Sequence, residues 1–200
     1  MGKLLYQGHG SLRLTSDSGA VCYIDPYAGE GYDKPADLIL VTHQHYDHNA
    51  LDLPARKPGC VVWQNMDAHP DPDTYVAKTF GPFTVEATIA ENANHPKDEC
   101  VGFLVKVDGK TLWFSGDTSY TDQMKDELSK MHIDYAFLPG DGIFNMNIDE
   151  AARCANILKA RHVTPIHLNP GKLYSEELAL RFAKLVSSAL LLKPGEEIEL

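Results

Sequence analysis

The chain has 200 residues, 44% hydrophobic and 23% charged, with a formal net charge of −10. That length predicts one domain spanning 1–200 with a sizeable core, and the composition is that of an ordinary globular protein. The acidic balance speaks against a nucleic-acid-gripping surface, which needs a basic stripe, and no apolar run approaches the ~20 residues that a membrane-spanning helix requires.

The first third predicts short strands at Lys3–Gln7, Ser11–Ser16 and Val21–Asp25, separated by the turn compositions Gly8-His-Gly10 and Ser16-Asp-Ser-Gly19. Meandering antiparallel pairing is the expectation for these three. Pro26 forbids simple continuation of the third, and a Gly-rich loop delivers the chain to a buried strand at 38–42. A short helix is expected between Asn49 and Leu53, a strand at Val61–Trp63, and an exposed excursion over Asn65–Thr74. Strands are predicted at Thr84–Ala90, Val101–Val107 and Thr111–Ser115, the last two joined by the hairpin signal Asp108-Gly109.

From Thr121 the period changes to that of helices. Helices are predicted at Thr121–Met131, at Asn147–Ala160 with Asn147 and Glu150 as a capping box, and at Ser175–Ser188 with two glutamates at its positive end. Strands are predicted at Asp134–Leu138, Val163–His167 and Glu196–Leu200. There is no internal repeat or low-complexity tract. Cys22, Cys60, Cys100 and Cys154 are far apart, with no C-x-x-C pair and no secretory pattern before Lys3-Leu-Leu-Tyr6. Reduced, packed thiols in a cytoplasm are the expectation.

The most informative stretch is Leu38-Ile-Leu-Val-Thr-His-Gln-His-Tyr-Asp-His48, where an apolar run ends in three histidines and an aspartate. If the strand persists through His45, His43 and His45 project to one side and grip one cation. Asp47 and His48 are adjacent, must aim elsewhere, and suit a second cation. Chance would give this spacing in about one chain in a thousand of this composition. A two-cation site needs further ligands at the ends of other apolar runs, and His95, Asp117 and His167 stand in such places. Gly116 lets the backbone turn sharply beside Asp117.

With these residues in order, the chain resembles the metallo-β-lactamase superfamily: Thr42-His-Gln-His-Tyr-Asp-His48 matches the H-x-H-x-D-H signature, and Asp25, His95, Asp117 and His167 follow the order of the other motifs. Gly8-His9, the Tyr46-containing motif and the Pro194-Gly-Glu-Glu-Ile198 ending are similar to the branch that includes ascorbate-phosphate lactonase. The resemblance implies an α+β fold, a four-layer αββα sandwich with the metal site at one edge of the two sheets. It implies His43, His45 and His95 on one metal, Asp47, His48 and His167 on the other, and Asp117 bridging. Asp25 would stand behind the ligands as the acceptor that orients a ligand loop.

Two divalent metal ions are thus expected, zinc first, with Mn²⁺ or Fe²⁺ suited to the same ligands. The expected activity is hydrolysis of a small ester, lactone or phosphodiester by a metal-bridged hydroxide, with Asp47 and His9 as catalytic residues and no serine or cysteine nucleophile. His9 has two readings, contact with substrate or a ligand, and a structural turn histidine. Asn145 and Asn169 read as polar contacts to the metals or as loop caps. Tyr46 reads as packing, and His69, His132 and His162 as exposed. A small-molecule substrate, no nucleic acid and no membrane span are expected. The alternatives are a nuclease acting on RNA or DNA, and a non-catalytic metal-binding or sensor protein.

Overall fold

The computed structural model describes residues 1–200. The first half folds as β1 (Lys3–Gly8), β2 (Ser11–Thr15), β3 (Val21–Ile24), β4 (Ala36–Val41), β5 (Arg56–Gln64), α1 (Asn65–Ala68), β6 (Ala77–Phe80) and β7 (Phe83–Ile89). It continues through β8 (Val101–Val107), β9 (Lys110–Phe114), α2 (Asp122–Asp126), a 3-10 turn (Leu128–Lys130), β10 (Tyr135–Pro139), α3 (Ile148–Leu158), β11 (His162–Ile166), α4 (Glu176–Leu185) and β12 (Glu196–Glu199).

The strands form two six-stranded sheets, ordered β12-β1-β2-β3-β4-β5 and β11-β10-β9-β8-β7-β6. They face each other across one core that draws Leu12, Leu14 and Leu40 from the first and Phe103, Val105 and Phe137 from the second. Strand alternation sends the intervening Leu104, Ala136 and Leu138 to the second sheet's outer face, where α2, α3 and α4 cover them with Met124, Ala151, Leu158 and Phe182. The first sheet's outer face is smaller. Its Tyr23, Ile39 and Val41 are covered by Tyr32 and Leu51 from loops. No helix is long and apolar enough to cross a membrane.

The antiparallel meander holds for β1, β2 and β3. The chain then switches: β3, β4 and β5 run parallel, as do β9, β10 and β11. Parallel strands put their carboxyl ends at the same edge, so the loops after β3, β4, β9, β10 and β11 gather there.

Several local expectations are corrected. β4 ends at Val41, so His43 and His45 lie in a bend and not on a strand. Residues 49–53 form turns, and β5 is nine residues long because Pro58 and Gly59 are tolerated on a sheet-edge strand. The excursion after β5 is not wholly exposed: it opens with α1, and His69 is buried, with Nδ1 donating to the Thr74 carbonyl at 2.8 Å. β6 was not expected because Ala77-Lys-Thr-Phe80 is mostly exposed and lacks alternation; the turn at Gly81 folds it onto β7. The helix expected over 121–131 breaks at Glu127, where Ser129 Oγ takes the Lys125 carbonyl at 2.5 Å in place of a backbone N–H.

Asn147 caps α3 as expected, its Oδ1 accepting from the Glu150 amide at 2.9 Å. The reciprocal half of the box is missing, since Glu150 accepts instead from the Tyr120 amide. Ser175 caps α4, which ends at Leu185.

Candidate metal centre

All nine of the predicted site residues reach the edge where the parallel strands end. Asp25 follows β3, the His43–His48 loop follows β4, Asp117 follows β9 and His167 follows β11, while His9 comes from the β1–β2 turn and His95 from the β7–β8 loop. His9, Asp25 and His167 adopt positive φ (55°, 46° and 46°), a left-handed conformation that non-glycine residues rarely hold. Such strain persists where surrounding contacts over-determine it, and here all three sit within one cluster.

The ring nitrogens and carboxylate oxygens form three groups whose members lie within 4.8 Å of one another: Asp25, His43 and His48, and two others, His43, His45 and His95, and His9, Asp47, His48 and His167. Asp117 lies between the latter two, with His95 Nε2 at 3.2 Å, His167 Nε2 at 3.3 Å and His48 Nε2 at 3.5 Å.

The imidazoles are held from behind by their Nδ1 atoms. Asp25 accepts three hydrogen bonds, from His48 Nδ1 (2.8 Å), Thr42 Oγ1 (2.6 Å) and the Thr42 amide (2.7 Å). The Thr42 hydroxyl in turn accepts from His43 Nδ1 at 3.0 Å. Asn92 Oδ1 accepts from His95 Nδ1 at 2.9 Å, and Asp141 Oδ2 stands 3.0 Å from His167 Nδ1. Fixing Nδ1 leaves Nε2 as the free donor atom. Accordingly Nε2 of His43, His48 and His95 is buried with no hydrogen-bond partner. Buried unpaired nitrogens are costly in a protein without another partner for them, so this donor set fits divalent cations.

The electrostatics agree. Burial opposes ionisation of Asp117, but His48, His167 and His95 outweigh it and hold its carboxyl well below the usual range. Asp47 is lowered likewise, burial being overcome by His167 and His9. Burial keeps His43 and His45 neutral by pushing both down. His48 is raised, Asp117 and Asp25 outweighing burial. In His167, Asp117, Asp141 and Asp47 overcome burial and raise the imidazole to about 10.

His9 is fully buried, with Nε2 donating to Asp47 Oδ2 at 3.0 Å and Nδ1 3.1 Å from the Lys172 carbonyl. It therefore stands behind Asp47 and does not line the open cavity. Asn145 Nδ2 donates to both Asp117 and Asp141 at 2.9 Å. Asn169 joins neither metal group nor the cavity wall. Tyr46 is 73% exposed, which corrects its reading as packing. Cys22, Cys100 and Cys154 are buried and Cys60 is partly so; all four are free thiols.

Asp141 is the residue that sequence reasoning missed. The signal existed: Phe137-Leu-Pro-Gly-Asp141 is another apolar run ending in a polar residue after glycine, the same pattern that marked Asp117. Asp141 Oδ1 also accepts from the amides of Ile143 (2.6 Å) and Phe144 (2.7 Å). Burial opposes its ionisation, but His167, those amides and Asn145 bring it down to about 2.

Above the nitrogens opens a cavity of about 420 Å³, bounded by His45, Asp47 and His167 on one side and by Tyr46, Phe144 and Pro170 elsewhere. A sandwich of two mixed sheets with an imidazole and carboxylate cluster at their shared edge defines a metallo-β-lactamase fold protein. The sequence profile of the β-lactamase superfamily domain matches residues 3–167, and the chain belongs to that superfamily, among its metal-dependent hydrolases. It is 31% identical to a UPF0173 metal-dependent hydrolase of Pyrococcus furiosus, with 100% of each chain covered. It is 34% identical to one of Pyrococcus abyssi, over 84% of this chain and 83% of that one. Among solved structures, the metallo hydrolase Igni18 of Ignicoccus hospitalis superposes with a TM-score of 0.76 at 22% identity, covering 98% of this chain and 97% of that one, a likeness of fold.

Proposed function

We propose that the protein is a dinuclear zinc hydrolase that cleaves a small ester, lactone or phosphodiester. The observation that carries this reading is the pair of donor groups flanking Asp117, with three buried Nε2 atoms, of His43, His48 and His95, that make no hydrogen bond. His43, His45 and His95 would hold one cation, Asp47, His48 and His167 the other, and Asp117 both. When bound, such a pair supplies Lewis acidity and lowers the pKa of water toward about 7.

The chain's own residues prepare that chemistry. Asp25, Thr42, Asn92 and Asp141 fix ring orientation, so the donor atoms need little reorganisation when a cation arrives. His9 keeps Asp47 oriented from below and is a positioning residue in this reading. Asn145 does the same for Asp117. The half-exposed side of the cluster, formed by His45 and Asp47, faces the cavity and admits substrate.

The reading is tested by loading the purified protein with zinc, manganese or iron and assaying esters, lactones and phosphodiesters with and without chelator. Turnover of at least one class, lost on chelation, is expected; metal uptake without any turnover would favour the sensor alternative. The nuclease alternative finds little support in a chain of charge −10 whose cavity wall holds no Lys or Arg. Steeply salt-dependent RNA binding would be needed to restore it.

A further inference from the structure

Metal ions would engage the reacting group of a substrate, and the cavity wall beyond them must accommodate the rest. None of its ten residues is Lys or Arg. The two amide side chains in it are already engaged: Gln44 Nε2 donates to Asn65 Oδ1 at 2.8 Å, and Asn94 Nδ2 donates to the Phe144 carbonyl at 3.1 Å. What the wall offers is Tyr46, Phe144 and Pro170. Tyr46 is 73% and Phe144 48% exposed, and exposed aromatic surface finds its use in contact with an apolar partner.

Phe144 is not on a floppy segment. Asp141 takes the amides of Ile143 and Phe144, Gly142 turns with φ +68°, its amide donates to the Met146 carbonyl at 3.2 Å, and Asn94 holds the Phe144 carbonyl. The ring is thus presented at the mouth by a braced loop. A preorganised apolar wall selects by complementarity at low ordering cost.

We propose that this cavity takes the uncharged apolar tail of a carboxylic ester or lactone, with Tyr46 and Phe144 as the residues that select it. The proposal rests on the hydrolase reading for its reaction: water adds across the acyl C–O bond, hydroxyl going to the acyl carbon and hydrogen to the leaving oxygen. An ester then gives acid and alcohol, and a lactone gives a hydroxy acid. Phosphodiesters of nucleic acids fit poorly, because their flanking phosphates would meet aromatic edges and no cation.

The test uses the zinc-loaded protein with p-nitrophenyl acetate, butyrate and hexanoate, the p-nitrophenyl half-ester of succinate, γ-hexanolactone, and bis(p-nitrophenyl) phosphate. We expect kcat/KM to rise about tenfold or more from acetate to hexanoate, since each buried methylene contributes several-fold. The charged half-ester should fall at least tenfold below butyrate. In Phe144→Ala and Tyr46→Ala the chain-length ratio should flatten to within about threefold, and Phe144→Leu should restore part of it. The second arm is independent of turnover: chelated protein is titrated with acetophenone and hexanophenone by ligand-observed NMR. Hexanophenone should bind at least fivefold more tightly, and Phe144→Ala should erase the difference. Ester cleavage with no chain-length preference, or faster cleavage of the half-ester or the phosphodiester, overturns the tail site while leaving the hydrolase. Ketone discrimination with no cleavage of these esters, of γ-hexanolactone or of the phosphodiester keeps the tail site and removes the hydrolase. Failure in both arms removes both.

Discussion

At the scale of single residues, the imidazoles of His43, His48, His95 and His167 do their work because a neighbour stands at Nδ1 and Nε2 faces the cluster. Asp141 is the clearest case, since one carboxylate both backs His167 and braces the Phe144 loop. Asp141→Asn keeps the shape and removes the charge; zinc affinity, measured by competition with a chromophoric chelator, should fall about 10- to 100-fold while circular dichroism stays unchanged. A second expectation concerns protons. His167 is raised to about 10 in the metal-free chain against an ordinary 6.5, chiefly because Asp117, Asp141 and Asp47 outweigh burial. A raised folded-state pKa contributes stability that is fully present below about 6.5 and is lost as pH rises through about 10. Metal-free protein should therefore lose melting temperature across that window. Because a ligand nitrogen must be deprotonated, zinc uptake at pH 7 should also release at least one proton, readable by calorimetry in buffers of different ionisation enthalpy.

At the scale of elements, the parallel strands place the site and the glycines let the loops close on it. A Cβ on Gly116 would stand 2.6 Å from the Val101 carbonyl oxygen, and its φ is +63°. Gly116→Ala should cost about 2 kcal/mol or more in urea unfolding, combining backbone strain with that clash. Gly10 is different: a Cβ there would press on His48 Cε1 at 3.0 Å. Gly10→Ala should weaken zinc binding more than it lowers stability, and the reverse ranking would contradict the geometry. The contrast also shows what sequence makes legible. The strands that carry ligands announce themselves as apolar, β-branched runs ending in His or Asp, so β4, β9 and β11 are found within a residue or two. β6 and the break at Glu127 depend on pairing and on one serine hydroxyl, which leave no periodic trace. His43 and His45 converge even though β4 stops at Val41, because the bend, not strand alternation, brings their rings to 4.6 Å. Asp141 carries the same signal as Asp117, an apolar run closed by glycine and aspartate. His69 reads as exposed because Pro70 and Pro72 follow it, yet it is buried.

At the scale of the whole molecule, a chain of charge −10 folds so that ionised Asp47 and Asp117 meet the imidazoles at one edge. Cations would offset part of that charge and bind the native state alone. At a free zinc concentration 100 times the Kd, linkage gives about 2.7 kcal/mol, or a rise in melting temperature of about 5–10 °C for a chain of this size. The most direct test is metal content per chain by elemental analysis, after loading with zinc and removal of excess. The account predicts two ions per chain in the wild type and fewer than two in Asp117→Ala with its secondary structure intact. A wild-type protein that retains no zinc, manganese or iron, or an Asp117→Ala protein that still holds two ions, would contradict it.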